Sequence, residues 1–250
     1  MRTVILGARR TFSRTAPARP EPVEVILNGR AIIALLTLAS LALVFASYAQ
    51  DVLGLAFPSA GLPRIWRLDL DVEASLPTWF SSGLILLNGL LLGLIARAAF
   101  RQQSPWAWHW LVLALVFVGL SIDEALSLHE ALSKPVRRML GAGGLLYFAW
   151  VVPLILACLV GAIGYLPFML AQSSAQRRRL LSAAGLFLAG AICVEMIGGA
   201  VVEAEGVGTF AYRTLVTLEE ALEMIGMLAF LNFLLHEIGC TVRSCRLHIG

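Results

Sequence analysis

Long apolar runs separated by short polar segments fill most of this 250-residue chain. A membrane-spanning helix needs about 20 mostly apolar residues, and six stretches meet this requirement. They cover residues 30–49, 78–100, 106–128, 144–170, 180–203 and 214–238. The pattern therefore predicts an all-α fold, a polytopic transmembrane bundle of six spans.

Residues at the ends of these stretches are typical of helix starts and of membrane interfaces. Pro77 and Pro105 stand where the second and third spans begin, and proline is favoured in the first turn of a helix. Ser104 is placed to cap the third span. Trp79 and Trp106 lie at predicted span ends, where amphipathic rings prefer the lipid–water interface.

The composition is typical of a membrane protein and indicates which partners to expect. Apolar residues make up 59% of the chain and charged residues 14%, whereas water-soluble domains carry about 25% charged residues. The lipid bilayer is thus the first expected partner, and the net charge of +3 gives no indication of nucleic acid. The basic residues are almost all Arg, which is typical of a GC-rich bacterial genome. We therefore predict a multi-pass protein of a bacterial inner membrane.

The distribution of basic residues predicts the orientation. Cytoplasmic segments are enriched in Lys and Arg, and a cytoplasmic N-terminus puts 13 of the 19 basic residues on the inner side. This predicts that both termini are inside. The domain prediction is an Arg-rich cytoplasmic tail at 1–23, a transmembrane domain at 24–240 that includes an outer loop at 51–77, and a cytoplasmic tail at 241–250.

The outer loop contains a segment in which apolar and charged residues alternate, Ile65 to Glu73. Trp66 and Leu70 fall on one side of this segment, and Asp69 and Asp71 fall on the other. Such alternation is typical of an extended segment that is half-buried against a surface. The segment either lies across the outer mouth of the bundle or is a solvated loop whose alternation arises by chance.

Carboxylates occur in three of the predicted spans at similar depth. At a rise of about 1.5 Å per residue, Glu124 lies roughly 27 Å and Glu195 roughly 22 Å from the inner face. Glu219 and Glu223 lie roughly 9 and 15 Å below the outer face. In a hydrocarbon core about 30 Å thick, all of them fall in the outer half. We therefore expect these acids to meet in one chamber.

The angular positions sharpen this expectation. On a continuous third helix, Asp123 and Glu130 share one face, with Glu124 on one side and His129 on the other. Ionisable groups at membrane depth cost several kcal/mol unless they pair, are protonated or face a wet cavity. Arg213 and His129 are the only obvious local partners of these acids in the sequence, and two basic residues are too few to neutralise them. The surplus predicts a bound cation or shared protons.

An oxygen-rich site with one imidazole suits a divalent metal, with Fe, Mn or Zn as candidates. The sequence contains no Glu-x-x-His pair, so it does not match the four-helix di-iron pattern. We predict a metal site toward the outer face. Its predicted ligands are Glu124, His129, Glu130, Glu195, Glu220 and Glu223, with Asp123 and Glu219 as further candidates.

Three functions are compatible with this site. The metal would support chemistry on a lipid or a small membrane-soluble substrate, or would hold the bundle together. Alternatively, the acids would serve as relays in a proton- or cation-coupled transporter, although the inner half of the spans is nearly free of ionisable groups. A third alternative is an accessory subunit that binds neighbouring membrane proteins or further copies of itself. The sequence assigns no catalytic residue.

Overall fold

The computed structural model describes residues 28–241 except residues 58, 60 and 62. The predicted tail at 1–23 lies outside the described residues, as does the C-terminal tail from residue 242 onward. The described residues form helices and connecting turns, with no strand among them. The eight α-helices are α1 (Gly29–Ala56), α2 (Leu76–Arg101), α3 (Ala107–Leu126), α4 (Leu128–Leu140), α5 (Val151–Ala171), α6 (Ser174–Leu188), α7 (Glu195–Glu205) and α8 (Phe210–Thr241).

Six helical segments are long and apolar enough to cross a membrane. A π-helical turn, Ala189–Val194, joins α6 to α7, so that Ser174–Glu205 forms one such segment. The other five are α1, α2, α3, α5 and α8. The helical membrane architecture predicted from hydropathy is confirmed at this level. Two short 3₁₀ turns, Trp66–Leu68 and Gly144–Leu146, lie in the connections.

Side-chain caps fix the start of several helices. Asn28 caps α1 by accepting hydrogen bonds from two backbone N–H groups, and Ser75 caps α2 by accepting from the N–H of Thr78. Such caps satisfy donors that the first turn leaves unpaired. The prediction for α3 was wrong in detail, because this helix begins at Ala107 and Pro105 lies before it.

The predicted third span, 106–128, ends earlier than expected. Ser127 adopts a left-handed conformation with φ of 51°, which ends α3 at Leu126 and starts the separate helix α4. His129 and Glu130 therefore do not share a helix with Asp123 and Glu124. The single helical face predicted for these residues was wrong, since it assumed a continuous helix through Ser127.

The helix ends form two groups, which we call the loop end and the core end. At the loop end, α1 and α8 meet through Asp51 and Arg213, and α2 meets α3 through the hydroxyls of Ser82 and Ser121. At the core end, Gln176 on α6 donates to Glu237 on α8. A buried apolar cluster fills the bundle toward the core end; its largest fully buried members are Leu92, Phe168, Leu231, Phe233 and Leu234.

Close helix contacts position the loop end of α8. A Cβ added at Gly190, in the π turn, would lie 2.7 Å from the backbone oxygen of Glu219 and 2.9 Å from Cγ of Glu223. One added at Gly226 would lie 2.7 Å from the backbone nitrogen of Phe187. Glycine is needed at both positions because α8 approaches the π turn at Gly190 and approaches α6 at Gly226 too closely for a side chain. The π turn and α8 are thus held together directly beside the acids of α8.

Candidate functional site

A cavity of about 400 Å³ opens at the loop end of the bundle, and we call it the chamber. All eight residues predicted from the sequence line it: Asp123, Glu124, His129, Glu130, Glu195, Glu219, Glu220 and Glu223. Asp71 and Glu73 bring the carboxylates on its wall to nine, against the three basic residues His129, Lys134 and Arg137. The structure therefore places acids from α3, α7 and α8 around one space, although their assignment as metal ligands stays a prediction.

The deeper part of the chamber is built from glutamates of α3, α7 and α8. The carboxyl groups of Glu195 and Glu219 lie within hydrogen-bonding range of each other. Glu220 and Glu223 interact electrostatically with Glu124 across the cavity. Carboxylates that share a small space in this way repel each other unless protons or a cation compensate their charge.

Trp150 links this group to the wall of the chamber. Its indole Nε1–H donates to Oε1 of Glu195 at 2.7 Å. Its ring packs against the ring of His129, with centroids 4.6 Å apart. Trp150 immediately precedes α5, and so it joins α4, α5 and α7 at the chamber wall.

His129 and Asp123 form an ion pair across the break between α3 and α4. Nδ1 of His129 lies 2.9 Å from Oδ2 of Asp123, and the backbone N–H of His129 donates to Oδ1 at 2.9 Å. Burial lowers the pKa of His129, but the hydrogen bond to Asp123 and the surrounding carboxylates outweigh this effect, so the pKa is raised. The imidazole is therefore the basic group best placed to compensate acids on this side of the chamber.

The rim of the chamber carries acids and bases from α4 and from the segment before α2. Glu130 lies within hydrogen-bonding range of Glu73, and burial raises the pKa of the Glu130 carboxyl. Arg137 stacks over Tyr147, with its guanidinium carbon 4.1 Å from the ring centroid. Its charge is thus partly engaged by the aromatic face and the Tyr147 carbonyl.

Beside the chamber lies a second group of charges, which we call the Arg–Asp cluster: Asp51, Arg64, Asp69, Asp71 and Arg213. Arg213 bonds to all three aspartates, with its Nη2 2.5 Å from Oδ1 of Asp69 and its Nε 3.2 Å from Oδ1 of Asp51. Arg64 bonds to Asp51 at 2.6 Å and also to Asp69. The prediction that Arg213 is a local partner of the helix acids was wrong, since all its ion pairs within the described residues are with the cluster.

Asp71 connects the Arg–Asp cluster to the chamber. It also accepts a hydrogen bond from the Tyr212 hydroxyl at 2.8 Å, and both residues line the cavity. With three aspartates and two arginines, the cluster has one negative charge that no arginine balances. Burial raises the pKa of Asp71 to about 6, with the charges of Asp69 and Glu130 adding to this effect and the Tyr212 hydrogen bond opposing it. Asp71 is therefore the member of the cluster that responds to mildly acidic pH.

The segment before α2 lies against the bundle, but it is not extended as the alternation suggested. A 3₁₀ turn at Trp66–Leu68 breaks the alternation, and Asp69 and Leu70 are both buried. Trp66, predicted on the buried side, is 49% exposed. The charges decide this arrangement because Asp69 is placed between two guanidinium groups.

Sequence reasoning missed four residues of the site: Asp71, Glu73, Trp150 and Tyr212. Asp71 and Glu73 lie outside the spans, and depth arguments do not apply to loop residues. A tryptophan directly before an apolar run is a usual interfacial signal, and nothing in the sequence indicates that Trp150 contacts Glu195. The π turn also left no periodicity signal, although it ends at the residue before Glu195.

The arrangement resembles a cation-binding cavity more than a preformed metal centre. Across residues 28–241, apart from the three undescribed positions, no group of three or more His, Cys, Asp or Glu is arranged to hold a metal ion. The acids instead surround a space larger than one ion. Such walls can hold protons, a metal with water ligands or an organic cation.

Comparisons with known proteins provide a family but no activity. No curated protein matches the chain, and no solved structure matches it. A family model described as a domain of unknown function, DUF8692, matches residues 31–238, which include every residue of the chamber and of the Arg–Asp cluster. The chain therefore belongs to the DUF8692 family.

Proposed function

We propose that this membrane protein binds an organic cation, a protonated amine, in the chamber. The observation that carries the proposal is the composition of the wall, where eight carboxylates, besides Asp71 with its partner Arg213, face three basic residues around about 400 Å³. Ionisable groups inside a membrane bundle mark ligand and ion pathways when they are not paired with one another. A bound cation would supply the compensating charge that these residues lack.

The size of the chamber favours a molecule over a bare ion. A water molecule takes up about 30 Å³, so a single ion would leave most of the cavity to solvent. Pockets for small organic ligands begin at about 300 Å³. Tyr147, Phe148, Trp150 and Tyr212 also line the chamber. Aromatic faces attract ammonium groups, and they provide apolar contact for the carbon atoms of an amine.

Metal binding, location in a bacterial inner membrane and the orientation of the termini stay predictions beside this proposal. A divalent metal, Fe, Mn or Zn, would use the same oxygen-rich wall, and the amine experiment below tests it in parallel. In a bacterial inner membrane with both termini inside, the chamber would open outward. A packed apolar cluster fills the bundle toward the core end, and this does not favour transport through the bundle. Association with other membrane proteins or with further copies would leave the chamber as described.

The test is equilibrium binding of a series of radiolabelled primary alkylamines to the purified protein in lipid nanodiscs, with elemental analysis of the same preparation. We expect saturable binding of an amine at about one equivalent. Glu223→Gln and Glu220→Gln should each weaken it by about tenfold or more, because each removes a buried charge that faces the ammonium group.

Glu205→Gln is the matched control, since Glu205 is exposed at the loop end and does not line the chamber. It should leave amine affinity unchanged. Failure of every amine in the series to bind would refute the proposal. About one or two equivalents of Fe, Mn or Zn, lost in Glu223→Gln, would replace it with the metal site.

A further inference from the structure

Helix α4 has two chemically different faces, and each faces a different environment. Its polar residues His129, Glu130, Ser133, Lys134 and Arg137 line the chamber. Its apolar residues lie on the opposite face and are exposed: Leu128 by 47%, Leu132 by 51% and Met139 by 80%. A short helix with one strongly polar and one apolar face is typical of an element that lies in the membrane interface.

The exposed apolar face continues the surface of a predicted span. On α3, Leu115 is 63% exposed, Ile122 is 49% exposed and Leu126, the last residue, is 64% exposed. Leu128 follows after a single residue. Because the apolar surface of a spanning helix faces lipid, the outer face of α4 extends the lipid-facing surface to the level of the chamber.

Helices α3 and α5 contact each other at the core end, and both contribute to the chamber wall at the loop end. Near the core end, Tyr165 donates to the carbonyl of His109 at 2.8 Å and Phe168 packs against Trp110 with centroids 5.0 Å apart. Toward the loop end, Leu120 of α3 and Leu154 of α5 line the chamber instead. At this end the apolar side chains of the two helices therefore face the cavity.

The contact between His129 and Trp150 bridges the chamber wall between the end of α3 and the start of α5. Helix α4, which carries His129, is joined to the bundle through left-handed residues at both ends, Ser127 with φ of 51° and Gly141 with φ of 59°. The Ser133 hydroxyl of α4 is buried and has no hydrogen-bond partner among the described residues. Helix α4 is thus a polar cover attached at two sharp breaks.

We propose that the chamber receives its cation from the lipid phase, as a long-chain amine whose ammonium group lies among the carboxylates. The alkyl chain of this amine would pass between α3 and α5, beside Leu120 and Leu154, into the bilayer. The inference rests on the proposed function, because it names the class of amine that the same chamber binds. A polar chamber beside an interfacial helix suits an amphiphile, whose two ends need both environments.

The test compares ethylamine with dodecylamine in nanodiscs, with dodecylamine affinity corrected for its partition into lipid alone. We expect the corrected affinity for dodecylamine to exceed that for ethylamine by tenfold or more. Leu154→Trp fills space between α3 and α5, so it should lower dodecylamine affinity about tenfold more than it lowers ethylamine affinity. Leu156→Trp is the matched control, because Leu156 is 59% exposed on the opposite side of α5 and should change neither.

The outcomes separate the two proposals. If ethylamine and dodecylamine bind equally tightly, or if Leu154→Trp leaves dodecylamine affinity unchanged, entry from lipid is refuted while amine binding stands. If neither amine binds to the wild-type protein, the proposed function itself fails. If Leu154→Trp weakens both amines by the same factor, Leu120→Trp on α3 decides. A larger loss of dodecylamine affinity than of ethylamine affinity supports the proposal, and any other result overturns it.

Discussion

Two groups of acids lie side by side at the loop end, and they are stabilised differently. In the Arg–Asp cluster, Arg64 and Arg213 bond directly to three aspartates, and Asp51 and Asp69 are buried. In the chamber, the eight carboxylates other than Asp71, which belongs to the cluster, face three basic residues. Buried charges are tolerated when they are paired and hydrogen-bonded. The cluster meets this condition within the chain, whereas the chamber does not, and this contrast is the reason that we assign ligand binding to the chamber.

The largest effect is expected from breaking the cluster at Arg213. Arg213→Ala removes the residue that contacts all three aspartates, so that Arg64 alone faces the buried Asp51 and Asp69 and Asp71 loses its arginine. We expect a loss of about 3–5 kcal/mol of stability, measured by thermal unfolding in detergent. Arg138→Ala, which replaces an exposed arginine of α4, is the control and should have little effect. An unchanged melting temperature in Arg213→Ala would show that the cluster does not hold the loop end together.

Replacement of a carboxylate by an amide should change the stability of the protein in opposite directions in the two groups. Asp69→Asn weakens the bonds to Arg64 and Arg213, so we expect a loss of about 2–3 kcal/mol. Glu220→Gln removes one of several neighbouring acids and should raise stability by about 1–4 kcal/mol, the range that Coulomb's law gives for two like charges about 4 Å apart at effective dielectric constants of about 80 to 20. Thermal unfolding of both variants measures this difference. Destabilisation by both would mean that the chamber acids are paired as well as the cluster is.

Close packing rather than charge pairing is expected to hold the chamber acids in place. Gly190→Ala would put a Cβ against the backbone of Glu219 and the side chain of Glu223, and it should cost about 1–3 kcal/mol. Gly185→Ala on α6 meets open space and should be neutral or stabilising by up to about 1 kcal/mol. Urea unfolding of the two variants provides the comparison. Equal stabilities would contradict the close approach of the π turn to α8.

The smallest effect concerns the ion pair between His129 and Asp123. Because the pKa of His129 is raised in the folded protein, its contribution is fully present below about pH 6.5, the unfolded value. It is lost as pH rises through the folded pKa. The stability difference between wild type and His129→Gln should therefore shrink from pH 5.5 to pH 9. In an Asp123→Asn background this pH dependence should largely disappear, and its persistence there would contradict the pairing.

The spans and the convergence of their acids could be predicted from the sequence because both follow from regular geometry. Hydropathy locates a helix, and a fixed rise per residue then gives the depth of Glu124, Glu195 and Glu223. The break at Ser127 could not be predicted this way. Serine in a left-handed conformation leaves no periodic signal, and its position between two apolar residues favours a continuous helix.

The partner of Arg213 was beyond the reach of sequence for a different reason. Arg213 lies close in sequence to Glu219 and Glu220, but its side chain bonds to aspartates from residues 51–71. Which acids an arginine selects depends on how a loop folds over the helix ends. Proximity along the chain does not contain that information. The sequence therefore predicts an excess of acids over bases in the chamber, but it assigns Arg213 to the wrong acids.

The π turn at 189–194 divides one long helical segment into two parts, and the side chains of the two parts differ in their rotation about the helix axis. A π-helical turn accommodates an extra residue relative to the regular helical repeat, so the side chains after it are turned by about 100° with respect to those before it. The packing face of α6, which includes Ala183 and Phe187, and the acid-bearing face at Glu195 therefore belong to different registers of the same segment.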